Sequence, residues 1–295
     1  MPRDQYHIPV LLHEVVTYLD PQPGGVYVDA TFGGGGHTCA ILRAEPQCSV
    51  IAFDWDQEAI ERNAAAVMDE FPGRVEVIWA NFARMQHQLH KRGIRQVQGM
   101  LADFGTSQHQ IYHKEGFSFD STAPLDMRMS AGHHQVTAAQ IVNQASEKEL
   151  LHIIGVYGEE WNAKKIVRAI MEWREKHPIT RTDTLATLIA RVIPRGRSRT
   201  HPATKTFQAL RITVNKELDN IAALLAQAPL VIVPGGRLVC ISFHSLEDRL
   251  VKQTTVEQGV WESLTKGVVV ATPGEVEENP SSRSAKLRAF TRLPS

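Results

Sequence analysis

Four short runs rich in β-branched residues, "VYVD" (26–29), "SVIAFD" (49–54), "RVEVIWA" (74–80) and "VQGMLADF" (97–104), are separated by segments of helical spacing near 37–45, 56–70 and 82–92. This alternation limits the possible folds more than any other feature of the chain. Strands joined through helices run parallel, so the first hundred or so residues predict βαβ units on a parallel sheet. The alternation then stops. Residues 106–205 hold no convincing strand but several helical patterns, one opening with the capping box Ser146-x-x-Glu149 ahead of "LLHIIGVYG". Strand character returns at "GGRLVCISF" (235–243), after a long amphipathic helix in which Phe207, Leu210, Val214, Leu218, Ile221 and Leu224 keep helical spacing. The simplest architecture is an α/β, Rossmann-like sheet domain over 1–105 and 206–295, interrupted by a helical insertion over 106–205.

A chain of 295 residues with 43% hydrophobic content can bury a proper core. Its longest apolar runs, such as Leu230–Val233 and Leu238–Ile241, are too short to cross a bilayer, and "MPRDQYHIPV" lacks the apolar core of a signal peptide. A cytoplasmic, membrane-free protein is expected. Cys39, Cys48 and Cys240 are widely spaced without a C-x-x-C, which argues against a zinc site and a disulfide framework and for small buried apolar residues. Net charge is zero, from 32 basic and 32 acidic residues, yet the distribution is uneven. From Thr184 to Lys216 the chain carries Arg191, Arg195, Arg197, Arg199, Lys205, Arg211 and Lys216 with no acid, and the tail after Ser281 adds Arg283, Lys286, Arg288 and Arg292. Such local excess suits phosphates, or else forms a solvated face.

The first strand runs into four consecutive glycines, in "YVDATFGGGGHTCAIL" (27–42). At the carboxyl end of a parallel strand such a turn lets the backbone approach a cofactor closely. The dinucleotide fingerprint G-x-G-x-x-G/A fails in both registers, ending on Thr38 or Cys39, and a P-loop would need Gly-Lys-Ser/Thr where Gly36-His37-Thr38 stands. What remains is Asp29 before the glycines and Asp54 closing the second strand, a carboxylate suited to ribose hydroxyls. That pattern resembles the S-adenosylmethionine pocket of Rossmann-like methyltransferases. A nicotinamide dehydrogenase and a non-enzymatic RNA-binding module are the alternatives.

Longer stretches narrow the choice. The blocks "HIPVLLHEVV" (7–16), "DATFGGGGHT" (29–38), "GFSFDSTAPLDMRM" (116–129), "YGEEWNAKKIVRAI" (157–170), "HPATKTFQALRITVNKEL" (201–218), "PGGRLVCISFHSLEDRLVK" (234–252) and "ENPSSRSAKLRA" (278–289) together resemble the small-subunit (16S) ribosomal RNA cytosine-N4 methyltransferase family over almost the whole chain. The resemblance implies S-adenosylmethionine as methyl donor and a cytidine in the decoding region of small-subunit ribosomal RNA as acceptor, with no metal; a homodimer is compatible with it. It implies cofactor contacts from Gly35, Gly36, His37, Asp54, Phe82, Asp103 and Gln110. Between Asp103 and Phe117 the chain departs from the family, with Gln108 in place of a serine and an arginine missing.

Each position also has a physical reading. Phe82 can supply an apolar face for adenine. A branched side chain at Gly35 would stand where backbone and cofactor touch. The cytosine amine is a poor nucleophile, so a group that accepts its hydrogens should assist, and Asp103 and His244 are the catalytic candidates, with Ser242, Ser245, Glu247 and Asp248 nearby in sequence. Asp126 and Arg128 of "PLDMRM" read as a loop-ordering ion pair. Phe104, Phe117, Phe119 and Phe243 are candidate walls for an unstacked base. Arg195, Arg197, Arg199 and Lys205 are the candidate phosphate contacts.

Overall fold

A computed structural model describes residues 8–105, 116–118, 122–132, 134–193 and 201–294. The chain divides into two compact units, residues 1–108 with 218–295, and residues 109–217.

In the first unit, helix α1 (Leu12–Leu19) leads into β1 (Val26–Asp29), followed by α2 (Gly36–Ala44), β2 (Ser49–Asp54), α3 (Gln57–Glu70), β3 (Val75–Trp79), a 3-10 turn (Phe82–Arg84), α4 (Met85–Lys91) and β4 (Val97–Asp103). These strands pair in parallel, as their alternation with helices requires. Alternate residues go to opposite faces. Tyr27, Val50, Ala52 and Leu101 pack on one side with residues of α1, α2 and α3, while Val28, Ile51, Phe53, Met100 and Ala102 pack on the other with Met85 and Leu89 of α4. A sheet covered on both faces explains why these strands are almost continuously apolar.

The second unit is helical among its described residues: α5 (Ala138–Gln144), α6 (Glu147–His152) continuing into a π-helical turn (Ile153–Tyr157), α7 (Ala163–Arg174), α8 (Thr182–Val192) and α9 (Thr204–Asn215). The Ser146/Glu149 capping box forms as its spacing predicts, each side chain accepting from the other's backbone N–H. Asp126 and Arg128 make the ion pair anticipated from the sequence, at 2.7 Å. The core joins Leu150, Ile154, Ile166, Ile170, Leu185 and Ile189 to Phe207, Leu210 and Val214.

That last group alters the sequence reading. The single helix anticipated from Phe207 to Leu224 is two helices, α9 and α10 (Glu217–Val231), separated at Lys216, whose φ of 50° is left-handed. Residues 206–215, which a domain boundary at 206 assigns to the sheet domain, instead pack in the helical unit because their apolar stripe completes its core. The chain rejoins the sheet unit at Leu218, and Ile221, Leu224, Leu225 and Ala228 of α10 cover the same sheet face as α4.

The remaining sheet elements are β5 (Ile232–Ser242), α11 (Ser245–Gln258), β6 (Trp261–Ser263), β7 (Val269–Val270), α12 (Pro273–Glu278) and β8 (Lys286–Arg292). β5 lies parallel to β4, and β8 runs antiparallel to β5. The order is β3-β2-β1-β4-β5-β8-β6, with β7 also on β8. The order of strands therefore reverses between β1 and β4, the position at which open α/β sheets collect ligands beyond their carboxyl ends. All three cysteines are buried and unbridged. Among the described residues no helix is long and apolar enough to cross a membrane.

Candidate active site

The carboxyl ends of β1 and β2 are fastened to the glycine turn. Asp29 is fully buried; one of its oxygens accepts from the Thr31 N–H (3.0 Å) and the other from the Thr38 hydroxyl (2.6 Å). Burial holds its pKa above the ordinary carboxylate range despite those bonds. The Thr31 hydroxyl accepts in turn from the Asp103 N–H at 2.9 Å, which links the ends of β1 and β4. Asp54 accepts from Gly33 N–H on one oxygen (2.7 Å) and from Asp56 N–H on the other (2.8 Å), joining the turn to the end of β2. Its pKa is pushed up to about 6, chiefly by burial, with the charges of Asp56 and Asp29 adding to the rise against the two backbone bonds. Asn63 of α3 holds the opposite side of the turn by donating to the Gly33 carbonyl at 3.2 Å.

Gly33 and Gly35 both have positive φ, 51° and 74°, which glycine alone adopts without strain. The space beside Gly35 is not where the sequence placed it. A Cβ there would stand 2.8 Å from Val67 and 3.0 Å from Phe32, so this glycine is required for packing of the turn on α3 and not for approach of a cofactor on that side. A Cβ on Gly36 would meet the Pro9 ring at 2.9 Å. The segment from Ile8 to Leu11 thus lies against the start of α2, and the Val10 carbonyl accepts from Nε2 of His37 at 2.9 Å. That bond leaves Nδ1 of the buried His37 facing Asp103, 3.9 Å from its Oδ2.

An aromatic row accompanies the acids. Phe82 lies between Trp55 (centroids 6.4 Å apart) and Phe104 (6.2 Å), all three half-buried. Sequence reasoning found Phe82 and Phe104 but missed Trp55, whose signal was its place directly after the acid that ends β2. Gly105 follows Phe104 because a Cβ there would lie 2.5 Å from the Phe243 ring, so the "DFG" at the end of β4 packs on the "SFH" at the end of β5.

Other sequence candidates have different surroundings. His244 is the N-cap of α11: its Nδ1 accepts from the Glu247 N–H at 3.4 Å and its Nε2 lies 3.1 Å from Glu247 Oε1. The fully buried Glu247 also accepts from Phe243 N–H (2.7 Å) and His244 N–H (3.2 Å), so this pair builds the turn after β5. Two arginines counted as unopposed are paired. Arg288 makes a two-pronged bridge to Asp248 (2.7 and 3.1 Å), and Arg211 one to Glu217 (2.9 and 3.0 Å), an acid one residue beyond the basic stretch. Lys205 donates to the Glu159 carbonyl at 2.8 Å. Gln110, Gln108, Phe119, Arg195, Arg197 and Arg199 lie outside the described residues.

A sheet that reverses its order at β1/β4, with a glycine turn after its first strand and an acid at the end of its second, is that of a Rossmann-like enzyme binding an adenosine-bearing cofactor. The chain belongs to the MraW methylase family, whose model matches residues 4–293. It is accordingly a methyltransferase, with S-adenosylmethionine as methyl donor, and the dehydrogenase and non-enzymatic alternatives fall. A protein from Coprothermobacter proteolyticus named ribosomal RNA small subunit methyltransferase H is 45% identical over 292 residues, 97% of this chain and 96% of the relative. Proteins of the same name from a Cyanothece species and from Sorangium cellulosum are each 44% identical, over 97% and 99% of this chain and 95% and 92% of theirs.

The residues present fit the donor. A carboxylate offers about four lone-pair positions. Asp54 uses one on each oxygen for Gly33 and Asp56, which leaves an acceptor position on each for the two hydroxyls of a ribose. The half-buried faces of Trp55, Phe82 and Phe104 suit a flat heteroaromatic base.

Proposed function

We propose that this methyltransferase acts on the N4 amine of a cytidine in the decoding region of small-subunit ribosomal RNA, in the cytoplasm. One observation carries the reading. Asp103 ends β4 at the reversal of strand order, beside the glycine turn and next to the aromatic Phe104, so an acid and an apolar face stand together where a flat amine-bearing base would enter. The names borne by the relatives support ribosomal RNA of the small subunit as the substrate.

When bound, S-adenosylmethionine supplies an electrophilic methyl on a sulfonium sulfur. Its displacement would release a neutral thioether, a leaving group that needs no further activation. Asp54 would hold the ribose, and Phe82 with Trp55 would offer the adenine an apolar face. Asp103 accepts hydrogen from the exocyclic amine, which localises the nitrogen lone pair on the attacking atom, and Oδ2 takes the proton once the N–C bond forms. The His37 ring stands on the other side of that carboxylate, its Nε2–H donated to the Val10 carbonyl and its Nδ1 3.9 Å from Oδ2. Phe104 and Phe243 wall the base, whose removal from the RNA stack costs a few kcal/mol. The turn of Gly35 and Gly36 shapes the donor pocket, Gly35 by packing on α3, and Gln110 belongs to that pocket, while Arg195, Arg197, Arg199 and Lys205 grip phosphates. His244 shapes the turn after β5 and leaves the proton to Asp103.

Incubation with labelled S-adenosylmethionine and small subunits lacking the modification, followed by mapping of the labelled nucleotide, tests the reading. Label on a cytidine N4 is expected, and label on any other atom refutes it. Sedimentation equilibrium reads whether the chain also forms a homodimer.

A further inference from the structure

Trp161 is 95% exposed, more than any other large apolar side chain among the described residues. It stands just before α7, and its turn is built rather than loose. Glu159 is left-handed with φ 45° and gives its carbonyl to Lys205 Nζ; Glu160 turns its carboxylate back onto the Asn162 N–H (2.8 Å) and side-chain amide (3.3 Å), and its carbonyl accepts from Ala163. Gly158 has no room for a side chain, since a Cβ would lie 2.5 Å from the Ile154 carbonyl and 2.9 Å from that of Lys205. The backbone that carries the indole is therefore held in place, and no described residue of its own unit covers the ring.

Its neighbours along the helix are cations. α7 buries Ala163, Ile166, Val167, Ala169 and Ile170, and its exposed face continues from Trp161 through Lys164 and Lys165 to Arg168, three, four and seven residues on. Arg168 is shared with Glu172 at 3.4 Å; Lys164 and Lys165 are exposed, and Lys205 adds a third ammonium at the same turn. Along α7 itself this exposed face carries no apolar side chain, as a protein partner would require for a dry interface core. A lone rigid aromatic ring followed by positive charge matches an unpaired nucleic-acid strand, whose bases stack and whose phosphates need cations.

We propose that Trp161, Lys164, Lys165 and Lys205 form an RNA-contact surface on the helical unit, where an unpaired base of the substrate RNA stacks on the indole and the adjoining phosphates meet the lysines. This rests on the reading of RNA as substrate.

The test uses the full chain and an unmodified small-subunit ribosomal RNA fragment, with affinity measured by fluorescence anisotropy at several salt concentrations. Trp161→Ala should weaken binding roughly five- to a hundredfold, whereas Trp161→Phe should keep most of the affinity because it retains a stacking face. Replacing Lys164 and Lys165 by Gln should lower the salt slope by about 0.7 per lost contact. S-adenosylmethionine affinity, read by calorimetry, should stay unchanged in all three variants. Equal binding by wild type and Trp161→Ala overturns the proposal, as does an equal loss in Trp161→Ala and Trp161→Phe. A dimer that Trp161→Ala splits assigns the surface to a second copy and also overturns it. Failure of the wild-type chain to bind the RNA removes the substrate reading itself, an outcome distinct from a bound wild type with an indifferent tryptophan.

Discussion

Replacing Asp54 by Asn changes one oxygen into an amide and removes the charge, and both consequences can be worked from the geometry. The carboxylate accepts from Gly33 and Asp56 on separate oxygens, so Asn satisfies only one of the two backbone donors and keeps a single acceptor for a ribose. Loss of one charge-assisted hydrogen bond to the cofactor costs about 1.5–3 kcal/mol, or about ten- to a hundredfold in Kd. The pH dependence supplies a second, independent signature. With a folded value of about 6 the side chain is roughly nine-tenths ionised at pH 7 and one-tenth at pH 5, so wild-type affinity should fall about tenfold over that interval while the Asn variant stays nearly flat. Stability moves the opposite way. A carboxyl raised from 3.8 to about 6 on folding binds more protons folded than unfolded in that window, so its contribution declines as pH rises through it, to a cost of roughly 3 kcal/mol at pH 7 that Asn relieves in part. Calorimetric titration with S-adenosylmethionine from pH 5 to 8, beside denaturation of both proteins, reads all three effects. A wild-type affinity that does not change between pH 5 and 7, or an Asn variant with the same slope, would refute the assignment of Asp54 to the ribose.

Gly35→Val should lower stability by about 1–3 kcal/mol along with cofactor affinity, since its Cβ meets Val67 and Phe32 at a positive φ; undiminished stability by urea denaturation would show that the turn relaxes around it. Phe82→Leu keeps an apolar side chain but loses the ring between Trp55 and Phe104, and S-adenosylmethionine should bind it about two- to tenfold more weakly, as equilibrium dialysis would read. Ser146→Ala removes half of a capping box in the helical unit and should cost about 1 kcal/mol of stability with cofactor affinity untouched.

The strands that build the pocket were legible because a parallel sheet buried on both faces leaves a strong signature. The runs ending at Asp29 and Asp54 stop at those residues in the structure, the run read as far as Phe104 stops one residue earlier at Asp103, and the glycine turn lies between the first two. β8 was not read as a strand. Its "KLRAFTR" alternates, with Leu287 and Ala289 inward and Arg288 directed to Asp248, but the same spacing registers as charge when the pairing strand β5 is forty or more residues away. The interruption at Lys216 was hidden for a related reason: the apolar stripe keeps its period across a single left-handed residue, although its two halves serve different cores. Within the site, residue type pointed to Asp54, Phe82, His37 and Asp103, which the fold brings to one end of the sheet. It did not reveal that Gly35 faces the protein interior, or that His244 is a helix cap, because both follow from directions that only the assembled turns define.

The short segment from Ile8 to Leu11 ties the glycine turn to the far end of the chain. Pro9 lies on Gly36 and Val10 fixes His37, while the Leu11 N–H donates to Glu275 and the Ile8 carbonyl accepts from Asn279. β4, which supplies Asp103, is flanked by β5, and β5 comes only after the helical unit. A ribosome making this protein thus translates the donor-binding turn and its nearer braces, Asp54 and Asn63, long before Glu275 and Asn279, which hold the segment from Ile8 to Leu11 beside it. The growing polypeptide therefore carries the residues of the pocket through much of its synthesis before the last of the braces behind them is made.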